Sequence, residues 1–299
     1  MAFLKTDLWR SVLVRAPIEA VMRAGSLDSF EMIVLPDPGR NRILADPFGV
    51  RHDGRAFVFL EAMSYDERHG VIDMIALSPD GYAMARHTVL REAWHLSYPF
   101  VFEHEGQVFM LPEACRSGQL SLYRSRRFPE TWEKVEAFRF PENAIDASPV
   151  FHEGRWWIFY TPAARKEGRQ MTLCAAWADT LTGEWRPHPR NPIRVDRGGA
   201  RPGGTPFLHD GHIVLPVQDC RRTYGAAVRF LHLHIDPDQV RIEEGPRVTA
   251  PPRLAPYTDG LHTISKLGDQ TLIDVKRIAI GPGRFLLEAK RWLGARFTR

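Results

Sequence analysis

Short runs of alternating apolar and polar residues recur along the chain, each broken by a tight-turn signal. Four of them read RHDGRAFVFL, EHEGQVFML, HEGRWWIFY and HDGHIVLPV, and a weaker fifth reads KLGDQTLIDV. Each predicts a β-hairpin, because Asp-Gly and Glu-Gly supply the positive-φ residues that such turns require; the fifth has Gly-Asp instead. The turn glycines, which recur roughly every 50 residues, are Gly54, Gly106, Gly154, Gly211 and Gly268.

Further strand-like runs lie between the hairpins, including VIDMIALSPDG, QLSLYRSRRF, MTLCAAWADT and AAVRFLHLHI. Four strands per repeat are typical of a β-propeller blade, and five repeats nearly fill the 299 residues. We therefore predict an all-β protein, a single five-bladed propeller domain over residues 1–299. A β-sandwich with similar hairpins is the alternative, which the regular spacing disfavours. The run LWRSVLVRA, residues 8–16, is expected to close the ring against the last blade, because an open ring would leave sheet edges unpaired.

The C-terminal segment 283–299 has helical spacing. Phe285, Leu286, Ala289, Trp292 and Leu293 share one face, whereas Arg284, Lys290 and Arg291 lie opposite, interrupted by Leu287. We expect a short helix that packs on its own domain. The alternative is weak contact with a membrane surface through the basic face.

Composition limits the class of protein. With 25% charged and 44% apolar residues and a net charge of +4, the chain reads as globular, and no Lys/Arg block predicts nucleic-acid binding. The three cysteines form no CxxC pair, so neither a disulfide framework nor a zinc site is indicated. No apolar stretch reaches the roughly 18 residues of a transmembrane helix, and charges interrupt the N-terminal segment, so we expect a cytoplasmic protein.

The repeat also places acidic residues. Eight residues before the turn glycines stand Asp46, Tyr98, Asp146, Gly203 and Gly260. In a propeller, equivalent positions on the innermost strands point at one axis, so Asp46 and Asp146 are expected to face each other across a central funnel. The alternative is that each aspartate only caps a local turn.

A second set of polar residues is expected near the same funnel. Seven residues after the first four glycines stand Glu61, Glu113, Thr161 and Gln218, with Asp219 beside the last. Carboxylates grouped in this way suit glycosidic-bond chemistry, in which one activates a hydroxyl or water and a protonated group meets the leaving oxygen. The catalytic candidates are Asp46, Asp146, Glu113 and Asp219. The substrate-binding candidates are Glu61, His95, Tyr98, Arg201, Gln218, Tyr224, His262 and Lys276. Glu61 and Glu113 have the alternative of forming salt bridges only.

Two family resemblances rest on these residues. ADPF with Asp46 and DASPVF with Asp146 resemble the blade-one and blade-three motifs of glycoside hydrolase family 43. That resemblance implies that Asp46 is the general base and that Asp146 tunes the acid and orients substrate. A stronger resemblance, carried by ADPFGV, HLSYPFVFEHEG, GRWWIF, QDC and GLHT, is to the N-terminal domain of plant glucosamine inositolphosphorylceramide transferases and its stand-alone bacterial relatives.

The chain departs from family 43 in blade four. That family has its acid in a Glu-Gly-Pro stretch, whereas here the stretch GGARPGGTPFLHDG has no acidic residue between Gly198 and His209. Arginine stays protonated and cannot serve as a general acid, so Glu113 or Asp219 would have to supply the proton. Arg201 instead suits a phosphate or carboxylate on the substrate, such as a phosphorylated, nucleotide-linked or acidic sugar.

The resemblance also bears on metal binding. His262 in GLHT resembles the family 43 histidine beside an axial calcium ion, so a calcium ion on the propeller axis is one option. A hydrogen-bonded structural histidine is the other.

Three functions remain open from the sequence. We favour an enzyme of glycosidic bonds, either a glycosidase or a glycosyltransferase. The alternative is a non-catalytic module that binds glycans or nucleotide-sugars, which is favoured by the missing blade-four acid and by the separate C-terminal domain to which sugar transfer is attributed in the plant proteins. A scaffold with a merely solvated funnel is the third.

Overall fold

The computed structural model describes residues 5–280, which form a five-bladed β-propeller with one sheet per blade. The N-terminal segment contains β1 (Lys5–Val14), α1 (Ile18–Ala24) and β2 (Met32–Val34). Blade one contains β3 (Arg42–His52), β4 (Arg55–Ser64), β5 (Gly70–Leu77) and β6 (Ala83–Leu90). Blade two contains β7 (Ser97–His104), β8 (Gln107–Glu113), β9 (Tyr123–Arg127) and β10 (Thr131–Lys134).

The remaining blades follow the same order from the axis outwards. Blade three contains β11 (Ala144–His152), β12 (Arg155–Pro162), β13 (Thr172–Ala178), β14 (Arg186–Pro187) and β15 (Arg194–Val195). Blade four contains β16 (Arg201–Pro202), β17 (Phe207–His209), β18 (His212–Asp219), β19 (Ala227–Ile235) and β20 (Val240–Val248). Blade five contains β21 (Ile264–Leu267) and β22 (Gln270–Ile280), and short 3₁₀ turns cover Cys115–Ser117, Lys166–Gln170 and Pro252–Leu254.

The two ends of the described chain meet in blade five. The sheet order there is β2-β1-β22-β21, and β1 pairs antiparallel with β22 from Lys5 opposite Ile280 to Val14 opposite Thr271. The predicted closure of the ring by residues 8–16 is confirmed. Because β1 lies between β22 and β2, the last blade is complete only when the N-terminal segment is in place.

The hairpin turns carry the backbone that the sequence predicts. Asp53 and Gly54 have φ values of 48° and 73°, and the equivalent pairs in blades two to four also have two positive φ values. This is the turn geometry whose twist matches that of the flanking strands. In the fifth hairpin only Gly268 has positive φ, at 62°, in keeping with its inverted Gly-Asp order.

The apolar core lies between neighbouring blades. One cluster joins blades one, two and three through residues such as Phe48, Phe100 and Trp156, and another joins blades five and one through Leu13 and Leu44. Every blade therefore buries apolar surface on both faces, which fixes the relative positions of the inner strands.

Among residues 5–280 the only α-helix is α1, which the sequence analysis does not predict. It buries Ile18, Val21 and Met22 and ends at Gly25, whose φ of 61° places it in the left-handed conformation typical of a helix C-terminus. No helix in this part of the chain is long and apolar enough to cross a bilayer. The helix predicted over 283–299 lies outside the described residues.

Candidate functional site

The same backbone irregularity occurs at the head of three inner strands. Asp46, Tyr98 and Asp146 have φ values of 49°, 43° and 50°, and at each of them the inner strand shifts its register against the next strand. Positive φ is uncommon for residues other than glycine, and bulges of this kind redirect side chains. The repeat therefore places a bulge at the axis end of blades one, two and three, and the two aspartates occupy two of the bulges.

Asp46 is buried among donors from blades two and five. Its Oδ1 accepts a hydrogen bond from Thr263 Oγ1 at 2.7 Å, and its Oδ2 accepts one from the Tyr98 N–H at 3.2 Å. Burial raises the pKa of Asp46 to about 7; the positive charge of His262 opposes the rise, and the acidic side chain of Asp274 adds to it. This carboxyl therefore exchanges its proton near neutral pH.

His262 lies between two carboxylates. Its Nε2 is 3.3 Å from Asp46 Oδ1, and its Nδ1 is 2.7 Å from Asp274 Oδ2, although the Nδ1 contact lacks hydrogen-bond geometry. Trp9 stacks on the imidazole with ring centroids 3.9 Å apart. Burial alone would lower the pKa of His262, but Asp274 and Asp46 raise it above its ordinary value. The histidine therefore carries positive charge against Asp46.

Asp46, His262 and Asp274 are the one group of three or more His, Cys, Asp or Glu side chains within residues 5–280 whose ligand atoms are close enough to share a metal ion. Protein groups already contact all of those atoms. The two oxygens of Asp274 accept N–H groups of Asp46, His262 and Thr263. Calcium takes six to eight oxygen ligands, water among them, so the axial calcium ion predicted at His262 stays a prediction, with Asp46 and Asp274 as the carboxylates beside it.

Asp146 forms the opposite side of the site. Arg201 donates to it from Nε at 2.6 Å and from Nη2 at 3.2 Å, and Gln218 Nε2 donates at 2.9 Å. Burial raises the pKa of Asp146, while Arg201 opposes the rise. The Arg201 guanidinium also lies over the Tyr224 ring, 5.3 Å from its centroid. Asp146 therefore largely neutralises the positive charge of Arg201, the residue predicted to bind a phosphate or carboxylate on the substrate.

Two glutamates, Glu61 and Glu113, lie near the ends of the second strands of blades one and two. Glu61 Oε1 lies 3.3 Å from His95 Nε2, and His95 Nδ1 accepts the Gly70 N–H at 2.9 Å, which leaves the ring proton on Nε2. Burial alone would lower the pKa of His95, but the hydrogen bond and charge of Glu61 raise it. Glu113 accepts from Ser97 Oγ at 2.8 Å. Within residues 5–280 neither glutamate forms an ion pair with an arginine.

Three other candidate residues form hydrogen bonds to protein groups, namely Tyr98, Lys276 and Asp219. The Tyr98 hydroxyl contacts Ser148 Oγ at 2.8 Å and accepts the Gly204 N–H at 2.7 Å, so it joins blades two, three and four. Lys276 is fully buried and donates to Thr223 Oγ1 at 3.2 Å and to the Tyr224 carbonyl.

Asp219 is the third of these candidates. It accepts hydrogen bonds from the side chains of Arg221 and Arg247. Burial alone would raise its pKa, but Arg221 and Arg247 lower it to about 2. Such a carboxylate stays ionised at neutral pH and is poorly suited to donate a proton.

The repeat count fails in blade four. Arg201 pairs with Gln218 as Ala45 pairs with Glu61, so the residue aligned with Asp46 is Pro202 and not Gly203. The broken inner strand, β16 followed by β17, causes this offset. Thr263, Asp274 and Trp9 were missed; an aspartate inside the apolar run of β22 was the available signal for Asp274.

Comparisons with known proteins identify the family of this chain. The family described as "Glucosamine inositolphosphorylceramide transferase 1, N-terminal" matches residues 37–244, more than half of the chain. The chain belongs to this family. The matched range includes Asp46, Asp146 and Arg201, whereas Trp9, His262 and Asp274 lie outside it.

Curated relatives carry the same family name. Glucosamine inositolphosphorylceramide transferase 1 of Arabidopsis thaliana is 34% identical over 201 residues, which are 65% of this chain and 26% of the relative. The protein of that name from Oryza sativa subsp. japonica is 36% identical over 195 residues, 64% of this chain and 26% of the relative. The chain thus spans about a quarter of the length of these relatives.

Solved structures share the fold at low identity. A GH43_1 enzyme from Xanthomonas citri superposes with a TM-score of 0.57 at 11% identity, over 82% of this chain and 89% of that one. A family 117 glycoside hydrolase of Zobellia galactanivorans gives 0.53 at 14% identity, over 71% of each chain. These similarities place the domain in the same five-bladed fold.

Proposed function

We propose that the funnel of this protein binds a sugar and that Asp46 acts as a general base towards a hydroxyl group or a water molecule at that sugar. The observation that carries this proposal is the position of Asp46 at the blade-one bulge, buried and 3.3 Å from His262, where burial raises its pKa to about 7. A general base is most effective when its pKa lies near the working pH. The neighbouring His262 supplies the positive charge that keeps part of the population ionised.

The donors and acceptors around Asp46 suit the hydroxyl groups of a sugar. Glu61, Glu113 and the amide of Gln218 offer acceptors, and His95 offers an N–H held by its Gly70 contact. Because Asp146 matches the charge of Arg201, a neutral sugar satisfies this site as well as an anionic one does. The relatives are named glucosamine inositolphosphorylceramide transferases, so probes containing glucosamine or inositol phosphate are the first to use.

An enzymatic role also requires a group that donates a proton to the leaving oxygen. Asp219 is held ionised by two arginines, and Arg201 cannot donate. We assign the donor to Glu113 or to His95, because the hydrogen bond and charge of Glu61 raise the pKa of His95 and so favour its protonated form. The absence of an acid from the 198–209 segment favours a second function, glycan binding without catalysis.

The decisive experiment compares the wild-type chain with Asp46→Asn and with Asp73→Asn. Asp73 is a matched control, because it is also a buried aspartate of blade one, and its carboxylate accepts hydrogen bonds from Arg86 and Thr88 on the flank of the blade. UDP-N-acetylglucosamine, myo-inositol 1-phosphate and nitrophenyl glycosides serve as probes. Calorimetry measures binding, and chromatography of labelled sugar measures release or transfer.

If the protein is an enzyme, Asp46→Asn should lower turnover about 10²–10⁴-fold, the usual contribution of a general base. Probe binding by Asp46→Asn should change little, and so should both turnover and binding in Asp73→Asn. Turnover by the wild type should rise with pH through about 7. Binding without turnover in the wild type, weakened by Asp46→Asn, supports the binding module. Turnover unaffected by Asp46→Asn would overturn the general-base role, and no binding of any probe would overturn the carbohydrate site.

A further inference from the structure

Four histidines share one face of blade four, far from the funnel. His209 pairs with His212 across β17 and β18, and the rings of His212 and His234 lie 4.5 Å apart. His232 is two residues from His234 on β19 and therefore points to the same side of the sheet. The group sits beside the turn at Gly211, which is the opposite end of the blade from the axis bulges.

The hydrogen bonds of His212 fix its tautomer. Its Nδ1 lies 3.0 Å from the carbonyl oxygen of Asp210. A carbonyl only accepts, so Nδ1 carries the proton and Nε2 presents a lone pair. Metal-binding histidines commonly have this arrangement, in which the other ring nitrogen donates to a backbone carbonyl.

That lone pair points at a second imidazole nitrogen. His212 Nε2 and His232 Nδ1 are 3.3 Å apart. In a tetrahedral zinc site with Zn–N bonds of about 2.0–2.1 Å, two nitrogen ligands are separated by about 3.3 Å. The two side chains are thus spaced for an ion to replace the proton that they share.

The surroundings allow an ion to enter and the ligands to accept it. A cavity of about 480 Å³ is lined by His212 and His234. His234 Nε2 lies 3.7 Å from Glu243 Oε1, which places a carboxylate next to the group.

We propose that His212 and His232 bind a divalent transition-metal ion that prefers imidazole ligands, with zinc as the expected case. The His234 ring lies beside that of His212. Rotation of the His234 side chain brings one of its nitrogens to the ion held by His212 and His232, so that His234 is the third ligand. Imidazole suits zinc, copper and nickel, and a polar site open to solvent leaves the fourth position to water. The proposal is independent of the chemistry at Asp46.

The test uses the full chain without a histidine tag, stripped of metal by chelation. Zinc binding is measured by calorimetry, and cobalt is substituted to report four-coordinate geometry through its intense visible absorption. We expect one ion per chain. His212→Gln or His232→Gln should each weaken zinc binding by more than about 10-fold, the loss that even outer-shell changes produce.

His104→Gln is the matched control, since His104 ends β7 beside the blade-two turn and contacts Trp156, not another histidine. It should bind zinc as the wild type does, and thermal unfolding without metal verifies that every variant is folded. Absence of zinc binding by the wild type, or equal affinity in His212→Gln, His232→Gln and the control, would overturn the site. A cobalt spectrum typical of six-coordinate hydrated ion would do the same.

Discussion

Arg201 donates two hydrogen bonds to the carboxylate of Asp146 across the boundary between blades four and three. The two side chains are only 14% and 3% exposed. In such a buried pair each charge depends on the other, because removal of one leaves its partner in a medium that solvates charge poorly.

Arg201→Met is therefore expected to lower the free energy of unfolding by about 3–5 kcal/mol, the usual cost of leaving a buried charge unpaired. Urea unfolding followed by tryptophan fluorescence measures the change. The variant Arg201→Met/Asp146→Asn should lose less than the sum of the two single variants, because it removes both charges. Strict additivity would mean that the two groups do not stabilise one another.

Stability should depend on pH through Asp46 and His262. The pKa of Asp46 rises from 3.8 to about 7 on folding, so the folded protein holds a proton that the unfolded chain releases. Stability from this group is present at low pH and is lost as pH rises from about 4 to about 7. The raised pKa of His262 acts in the same direction above 6.5.

We expect the free energy of unfolding to fall between pH 5 and pH 8 in the wild type and to fall less in Asp46→Asn, as urea unfolding at each pH would measure. Asp73→Asn should retain the wild-type slope. An equal slope in Asp46→Asn would show that this carboxyl titrates near its ordinary value in the folded protein.

Gly204 permits close approach between blades four and five. A Cβ atom there would lie 1.7 Å from the Ile264 carbonyl oxygen, and the φ of this glycine is 150°. Gly204→Ala should therefore cost more than the roughly 0.5–3 kcal/mol of an ordinary substitution. In Gly106→Ala the φ is also positive but the space is open, so only about 1–2 kcal/mol of backbone strain is expected. Comparable unfolding midpoints for both variants would contradict this prediction.

Closure of the ring by β1 should have a large energetic effect. Leu13 is fully buried between blades five and one, and Leu13→Ala should destabilise the protein by about 2–5 kcal/mol. Leu208→Ala removes the same atoms from a side chain that is 51% exposed and should change stability by less than about 0.5 kcal/mol. Thermal and urea unfolding measure the stability of both variants. Equal losses of stability in Leu13→Ala and Leu208→Ala would contradict the packing described for β1.

Much of this fold is predictable because the turn residues repeat. Asp53-Gly54 and its counterparts specify hairpins locally, and their spacing alone gives the blade number. The bulge positions of Asp46 and Asp146 follow from the same count, since in each of the first three blades the bulge lies eight residues before the turn glycine.

The rest of the site depends on contacts that a count along the chain does not contain. Blade four interrupts its inner strand, which displaces Arg201 by one position from the repeat. Trp9 reaches His262 only because the N-terminal strand completes the last blade. The roles of Arg201 and Asp219 depend on their ion-pair partners, and residue type alone does not reveal these.

The Tyr98 side chain spans from blade two to contacts on blades three and four, and it is almost completely inaccessible to solvent. Its one hydroxyl therefore joins three blades beside the two axial aspartates, so the rigidity of the ring at that level depends on a single side chain.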